Sequence, residues 1–261
     1  MLLGLRRRLS KHSHVMANRG IGRVAFLLSI MAASCNVKEN RSACPCLLSV
    51  HLHGPGPIEY RIEDTSGSVL AAGSVPRDTV ILCDVPRNRV RVLAVSGAPL
   101  GEGVEIPYGS ESPPLYLYHG WLLTDGEALR AEVNLHKHYC RLHLELDGPP
   151  GEGNPVEVRV RGEVNGIGLD GRPASGGFSC PVSDGSCLLP RQGPSDLLLL
   201  DIVMQDRVVR TFSLGTYIRE AGFDWTEKDL GDITITLSLS VTQITFRIQD
   251  WSVTENINVE I

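Results

Sequence analysis

Nearly every apolar stretch of this 261-residue chain alternates with period two and is cut short by Gly, Pro, Asn or Asp. In Arg89-Val90-Arg91-Val92-Leu93 the two valines fall on one face and the arginines on the other, the pattern of a strand with one buried face. The same reading predicts strands at Leu47 to His53, Ile58 to Asp64, Thr79 to Cys83, Arg89 to Val95, Leu115 to Leu123 and Ala128 to Asn134. A second series follows at Tyr139 to Leu146, Val156 to Arg161, Leu197 to Gln205, Val208 to Phe212, Ile233 to Val241, Gln243 to Gln249 and Ser252 to Ile261. Thr216 to Ala221 is the one short helix, ended near Gly222. No longer segment sustains a 3.6-residue period, which excludes a parallel sheet with crossover helices. The 27 Gly and 16 Pro are scattered as turn punctuation with no G-x-y period, so collagen and low complexity are excluded too. The expectation is an all-β chain of two tandem β-sandwiches joined around Asn134 to His138, with domains at 44–135 and 136–261.

The N-terminal end reads differently. Residues 1–34 carry Arg6, Arg7, Arg8, Lys11, Arg19 and Arg23 and no acid, leaving 19 basic against 30 acidic groups in the remainder. That acidic remainder argues against binding a phosphate backbone and hence against a nucleic-acid partner. From Val24 an apolar run, VAFLLSIMAASC, follows the basic residues and falls short of the roughly 20 residues that span a bilayer. Residues 1–34 therefore read as a signal peptide, with Met16 an alternative start that keeps Arg19 and Arg23 as its basic region. Ala32-Ala33-Ser34-Cys35 resembles a bacterial lipobox, which makes Cys35 the expected lipidation site and 35–43 a polar tether. Lys38-Glu39 in that tether resembles a surface-export signal.

With Cys35 assigned to lipid, Cys44, Cys46, Cys83, Cys140, Cys180 and Cys187 remain. An even count in an exported chain predicts disulfides, with the connectivity open. Cys180 and Cys187 flank a turn at Pro181, Asp184 and Gly185 that could close a short loop. The spacing does not match structural zinc, and no metal or cofactor is expected.

Signatures of catalysis are missing: there is no H-E-x-x-H, G-x-S-x-G or P-loop. Gly166-Ile167-Gly168-Leu169-Asp170-Gly171 matches G-x-G-x-x-G, but Arg172-Pro173 and a Ser-Gly-Gly run stand where a phosphate-binding helix would begin. It reads as a glycine-rich loop. His136, His138 and Cys140 alternate on one strand face, with His143 on the other, and His51 and His53 form a second H-x-H pair. Neither pair has a third ligand identifiable in sequence, so both read as solvated strand faces. Glu63 and Asp64 are adjacent, on opposite strand faces, the wrong arrangement for joint acid–base work. Trp121, Tyr116 and Tyr118 are aromatic candidates for stacking on sugars.

Asn40-Arg41, then Cys44-Pro45-Cys46 and Leu47, set shortly after Cys35, resembles the N-terminus of the FimB-like fimbrial anchor family of Bacteroides-type bacteria. The closing region is similar to that family as well: Tyr217-Ile218, Phe223-Asp224-Trp225, Leu230-Gly231-Asp232-Ile233, then Ile244-Thr245-Phe246, Ile248 and Trp251. The resemblance runs from about Cys35 to the C-terminus. It implies two transthyretin-like β-sandwich domains held at the outer membrane by lipid and exposed at the cell surface. It also implies a non-enzymatic role, anchoring and terminating a fimbrium at its base by strand pairing with fimbrial subunits. The strand-exchange candidates are Val253, Ile257, Val259 and Ile261, an alternating apolar face interrupted at Glu255. That strand either completes its own sandwich or docks in a neighbour's groove. The rival readings are a fimbrial tip or adhesin subunit and a surface glycan-binding lipoprotein.

Overall fold

The structure, a computed structural model, describes residues 44–147, 157–239 and 243–256. The expected signal peptide, Cys35 and its tether lie outside the described residues, as do Ile257, Val259 and Ile261. Residues from Pro45 onward form one compact unit of β-strands with a single short helix among the described residues.

The first pair of sheets is built around β1 (Cys46–His53). It pairs antiparallel with β4 (Thr79–Val85) and parallel with β8 (Ala128–Asn134), giving a three-stranded sheet in the order β4-β1-β8. Leu48, Val50 and Leu52 point inward and Leu47, Ser49, His51 and His53 outward, as the alternation predicts. Facing this sheet are β2 (Ile58–Glu63), β3 (Val69–Val75), β5 (Arg89–Ser96), β7 (Tyr116–Leu123) and β9 (His136–Lys137), in the order β3-β2-β5-β7-β9. Ile58, Ile62, Val90, Val92 and Ala94 close the core from that side.

The second pair encloses a larger core. One sheet runs in the order β13-β10-β16-β17-β18, from Ser186–Pro190, Tyr139–Asp147, Ile233–Leu239, Gln243–Ile248 and Trp251–Asn256. The other runs in the order β12-β11-β14-β15, from Pro173–Pro181, Glu157–Gly168, Leu198–Met204 and Arg207–Phe212. Phe212 meets Phe246 edge-on with ring centroids 4.5 Å apart, and Tyr217 packs on Phe246 at 5.1 Å. Tyr217 belongs to α1 (Leu214–Glu220), which buries Leu214, Tyr217 and Ile218 and is followed by Gly222 at φ +85°.

The two pairs are interlocked by a strand. β6 (Gly103–Glu105) is contributed from between β5 and β7, yet it pairs with the far end of β11 through Val104↔Ile167. The chain continues along the second pair: Ile106 N–H donates to Asn165 O at 2.7 Å and Ser112 N–H to Leu188 O at 2.9 Å. Ile106 itself lies in the second core. Val95, Leu115 and Leu117 from the first pair form a third apolar cluster with Val104 and Ile167. This explains why β5 is buried on both faces from Val92 to Ser96, where alternation alone predicted one.

Several elements differ from the sequence expectation. β3, β6, β9, β12 and β13 were not anticipated, and β11 runs seven residues past its expected end at Arg161. The Gly166–Gly171 run is the tip of the β11–β12 hairpin, so the expected loop begins within a strand. Gly171 turns it at φ +76°, and a Cβ on Gly166 would collide with the Val104 carbonyl. Gly166 thus allows the close approach of β6 to β11. We expect Gly166→Ala to prise β6 from β11 and to lower stability by ~1–3 kcal/mol in urea unfolding. Gly101→Ala, whose Cβ meets only ordinary contact distances, should change it little. Equal effects from the two would contradict the interlock.

Candidate functional site

Strand pairing with another chain needs an accessible sheet edge, and the described residues offer several. β8 and β4 are the edges of the three-stranded sheet; Val80 and Leu82 of β4 are exposed on its outer face beside Leu47. In the facing sheet β9 covers only Tyr116 and Leu117 of β7. In the second pair, β15 is an edge with Val208 and Val209 exposed, and β18 is an edge at the C-terminal side. β18 pairs antiparallel with β17 through Val253↔Phe246 and Thr245↔Thr254, and Val253 packs on the second core. Through Asn256 the chain thus completes its own sheet.

The junction between the two sheet pairs is polar, with a buried arginine at its centre. Arg191, 8% exposed, directs its guanidinium at the chain on both sides. Its NH1 donates to the carbonyls of Trp225 (2.5 Å) and Glu227 (2.7 Å), and its NH2 to those of Lys137 and Lys228, both at 3.1 Å. Its Nε donates to His138 Nδ1 at 3.1 Å. Two carboxylates of the same loop hold the neighbouring residues. Asp229 accepts from the Lys137 backbone N–H at 2.8 Å and contacts His136 Nδ1 at 3.0 Å. Asp232 accepts from Lys137 Nζ at 2.6 Å and the Arg141 N–H at 2.9 Å. The Lys137 N–H holds the Asp229 carboxyl below its usual range. Burial pushes Asp232 up, but the Lys137 ammonium and the Arg141 N–H outweigh it and the net direction is down. A cavity of about 300 Å³ at this junction is lined by Tyr118, His119, His136, His138, Arg191 and Lys228.

His136, His138 and Cys140 therefore do not share a solvated face. His136 pairs with Asp229, His138 is drawn inward by Arg191, and Cys140 is fully buried in the second core. The H-x-H pair on β1 fares otherwise. The parallel register of β1 and β8 sets Glu132 opposite His51, so a third potential ligand, invisible in sequence, stands beside His51 and His53. Glu63 is buried and pairs with Arg61 Nε at 2.7 Å, while Asp64 accepts from Ser66 and Ser68 in the β2–β3 turn. Both acids are structural. The three aromatics of β7 do not form one platform: Tyr116 and Tyr118 pack on the first core, and Trp121 faces the other way, 49% exposed, under the Arg89 guanidinium at 4.9 Å.

No disulfide joins Cys44, Cys46, Cys83, Cys140, Cys180 and Cys187 in the structure, while Cys180 and Cys187, the two that flank the expected turn, have their side chains in hydrogen-bond contact. Cys46, Cys140, Cys180 and Cys187 are buried, Cys83 is partly buried and Cys44 exposed. Burial pushes the Cys140 thiol up to about 12, and contact with Cys180 together with burial raises Cys187. Such thiols stay protonated and pack as small apolar side chains.

No family model matches the sequence, and no curated protein is similar to it. Solved structures are similar in fold. One is the fimbrial anchor protein Mfa2 from Porphyromonas gingivalis, at 13% identity over 80% of this chain and 99% of that one, with a TM-score of 0.58. A candidate adhesin from Bacteroides ovatus matches at 12% identity over 83% of this chain and 97% of that one, with a TM-score of 0.60. A candidate polysaccharide-binding protein (DUF1812) from Bacteroides thetaiotaomicron matches at 12% identity, covering 82% and 99%, with a TM-score of 0.58. At these identities the likeness is one of fold.

The junction has a pH signature. Burial, then the Arg191 charge, pushes His138 down to about 3 from 6.5. Below pH 6.5 the unfolded chain binds a proton that the folded chain refuses, so folding stability falls as pH drops from 6.5 toward 3 and is fully present above 6.5. Each pH unit in that window costs up to ~1.4 kcal/mol from this group. The difference in unfolding free energy between wild type and His138→Gln should shrink as pH falls from 7 to 4.5; a pH-independent difference would contradict the burial of a neutral imidazole.

Proposed function

We propose that the protein is a surface-exposed outer-membrane lipoprotein that anchors and terminates a fimbrium at its base by β-strand pairing with fimbrial subunits. The observation that carries this reading is the fold likeness to a fimbrial anchor protein across 99% of that protein's length. The sequence supports it independently. Cys35 ends a basic-then-apolar leader at a lipobox-like Ala32-Ala33-Ser34, and the first strand opens at Cys46 shortly after. Two tandem transthyretin-like sandwiches, divided between Leu135 and His136, would then stand directly on the membrane. Two acyl chains on Cys35 would give stable attachment where one would be marginal.

No chemistry is required of such a protein. Termination requires one edge to be offered and the continuation of the polymer to be blocked. The terminal segment from Val253 through Ile257, Val259 and Ile261 is the candidate donor strand, and because Val253 already serves its own core, the exchanging part would lie beyond Asn256. A glycan-binding role has less support, since Tyr116 and Tyr118 lie on the opposite face of β7 from Trp121 and pack on the first core.

Deleting the gene should leave fimbriae that are made but shed into the medium, with irregular lengths. Cys35→Ser should reproduce the shedding and move the protein from the membrane to soluble fractions. Fimbriae that stay attached at normal length in the deletion strain would refute the anchor role.

A further inference from the structure

The outer face of the three-stranded sheet carries a cluster that strand pairing does not use. His51 and His53 are two apart on β1 and project from the same face, with ring centroids 3.9 Å apart. β8 lies beside β1 in parallel, with His51 opposite Glu132. The Glu132 Oε2 atom consequently sits 3.1 Å from His51 Nδ1 and 2.8 Å from His53 Nε2. One ligand atom from each of the three residues falls within 4.8 Å of the others. We propose that His51, His53 and Glu132 form a binding site for a divalent transition metal, with zinc the ion that best suits the donors.

Zinc bound tetrahedrally takes imidazole nitrogen and carboxylate oxygen at about 2.0–2.2 Å, which places neighbouring donor atoms roughly 3.3 Å from one another. The contacts of 2.8 and 3.1 Å around Oε2 therefore need to open by only a few tenths of an ångström. Two imidazoles and one carboxylate are also the donor set that leaves zinc a fourth, open position. All three side chains are partly or largely accessible, so an ion can enter from solvent.

An independent feature is the second nitrogen of His53. Its Nδ1 lies 3.3 Å from Asp78 Oδ1, on the side of the ring away from Glu132. Asp78 is held there by the β3–β4 turn, where its backbone takes φ +55° and the Thr79 hydroxyl donates to the Pro76 carbonyl at 2.7 Å. A carboxylate accepting one N–H of an imidazole fixes the tautomer that presents the other nitrogen to a metal, the arrangement by which metal-bound histidines are commonly oriented. Asp78 is thus the positioning residue, and His51, His53 and Glu132 are the ligands. Bound metal would pin the edge strand β8 to β1 and to the β3–β4 turn.

The competing occupant of the same geometry is a proton, with a His53 imidazolium clamped between Glu132 and Asp78. Titrating the full-length protein with zinc chloride against a chromophoric chelator at pH 7.5 separates the two. The metal site predicts one zinc per chain that is lost at least tenfold in affinity in His51→Gln and in Glu132→Gln, with folding unchanged by circular dichroism. Asp78→Asn should weaken it 10–100-fold while keeping the stoichiometry. X-ray absorption of the zinc-loaded protein should show nitrogen and oxygen neighbours at about 2.0–2.2 Å without sulfur. Absence of zinc binding, binding indifferent to His51 and Glu132, or sulfur ligation from the thiols would each overturn the proposal.

Discussion

The guanidinium of Arg191 is the interaction on which the assembly of this chain depends. A charge this buried is destabilising unless its donors are met, and here they go to four carbonyls and one imidazole nitrogen. Those acceptors come from two places far apart in sequence: Lys137 and His138, where the chain passes from the first sheet pair to the second, and the Trp225–Lys228 loop of the second. The contact fixes the passage in one geometry. Asp229 and Asp232 add charge-assisted bonds to the same few residues, leaving Lys137 held through its N–H, its carbonyl and its ammonium.

The β6 exchange adds a second connection between the pairs. Its three residues, and the chain after them through Ser112, lie along the second pair while β5 and β7 on either side belong to the first, so separating the pairs breaks a strand ladder as well as the Val95–Leu117–Ile167 cluster. Arg91 adds a bond from β5 to the Leu169 carbonyl at the hairpin tip.

What could be read from sequence followed locality. β1 and β8 were visible because each buries one face and alternates cleanly, and β8 was bounded to the residue. β12 was not, because Pro173-Ala174-Ser175-Gly176-Gly177 has loop composition; it is tolerated as an edge strand, where proline's missing N–H faces outward. β6 carries no local signal at all, since only its pairing with β11 makes it a strand. The alternation of His136, His138 and Cys140 does not make one strand face, because His136 lies on β9 of one sheet and Cys140 on β10 of another, and Arg191, which draws His138 inward between them, is 53 residues away. The His51–His53 pair lacked its third member for the same reason: Glu132 is 79 residues from His53, and only the parallel register unites them. Of the six cysteines, the turn at Pro181, Asp184 and Gly185 singled out Cys180 and Cys187, and the structure brings these two into contact, whereas the burial of Cys46 and Cys140 depends on packing that the sequence does not show.

The central claim is that the two sheet pairs behave as one mechanical unit because Arg191 and β6 join them. Native-state hydrogen exchange across a urea series tests this directly, comparing amides of β5 and β7 with amides of β14 and β16. Interlocked pairs predict that both groups lose protection together, at one free energy with one urea dependence, and that Arg191→Met separates them. If β14 and β16 stay protected in wild-type protein under urea that has already opened β5 and β7, the pairs are independent and the claim fails.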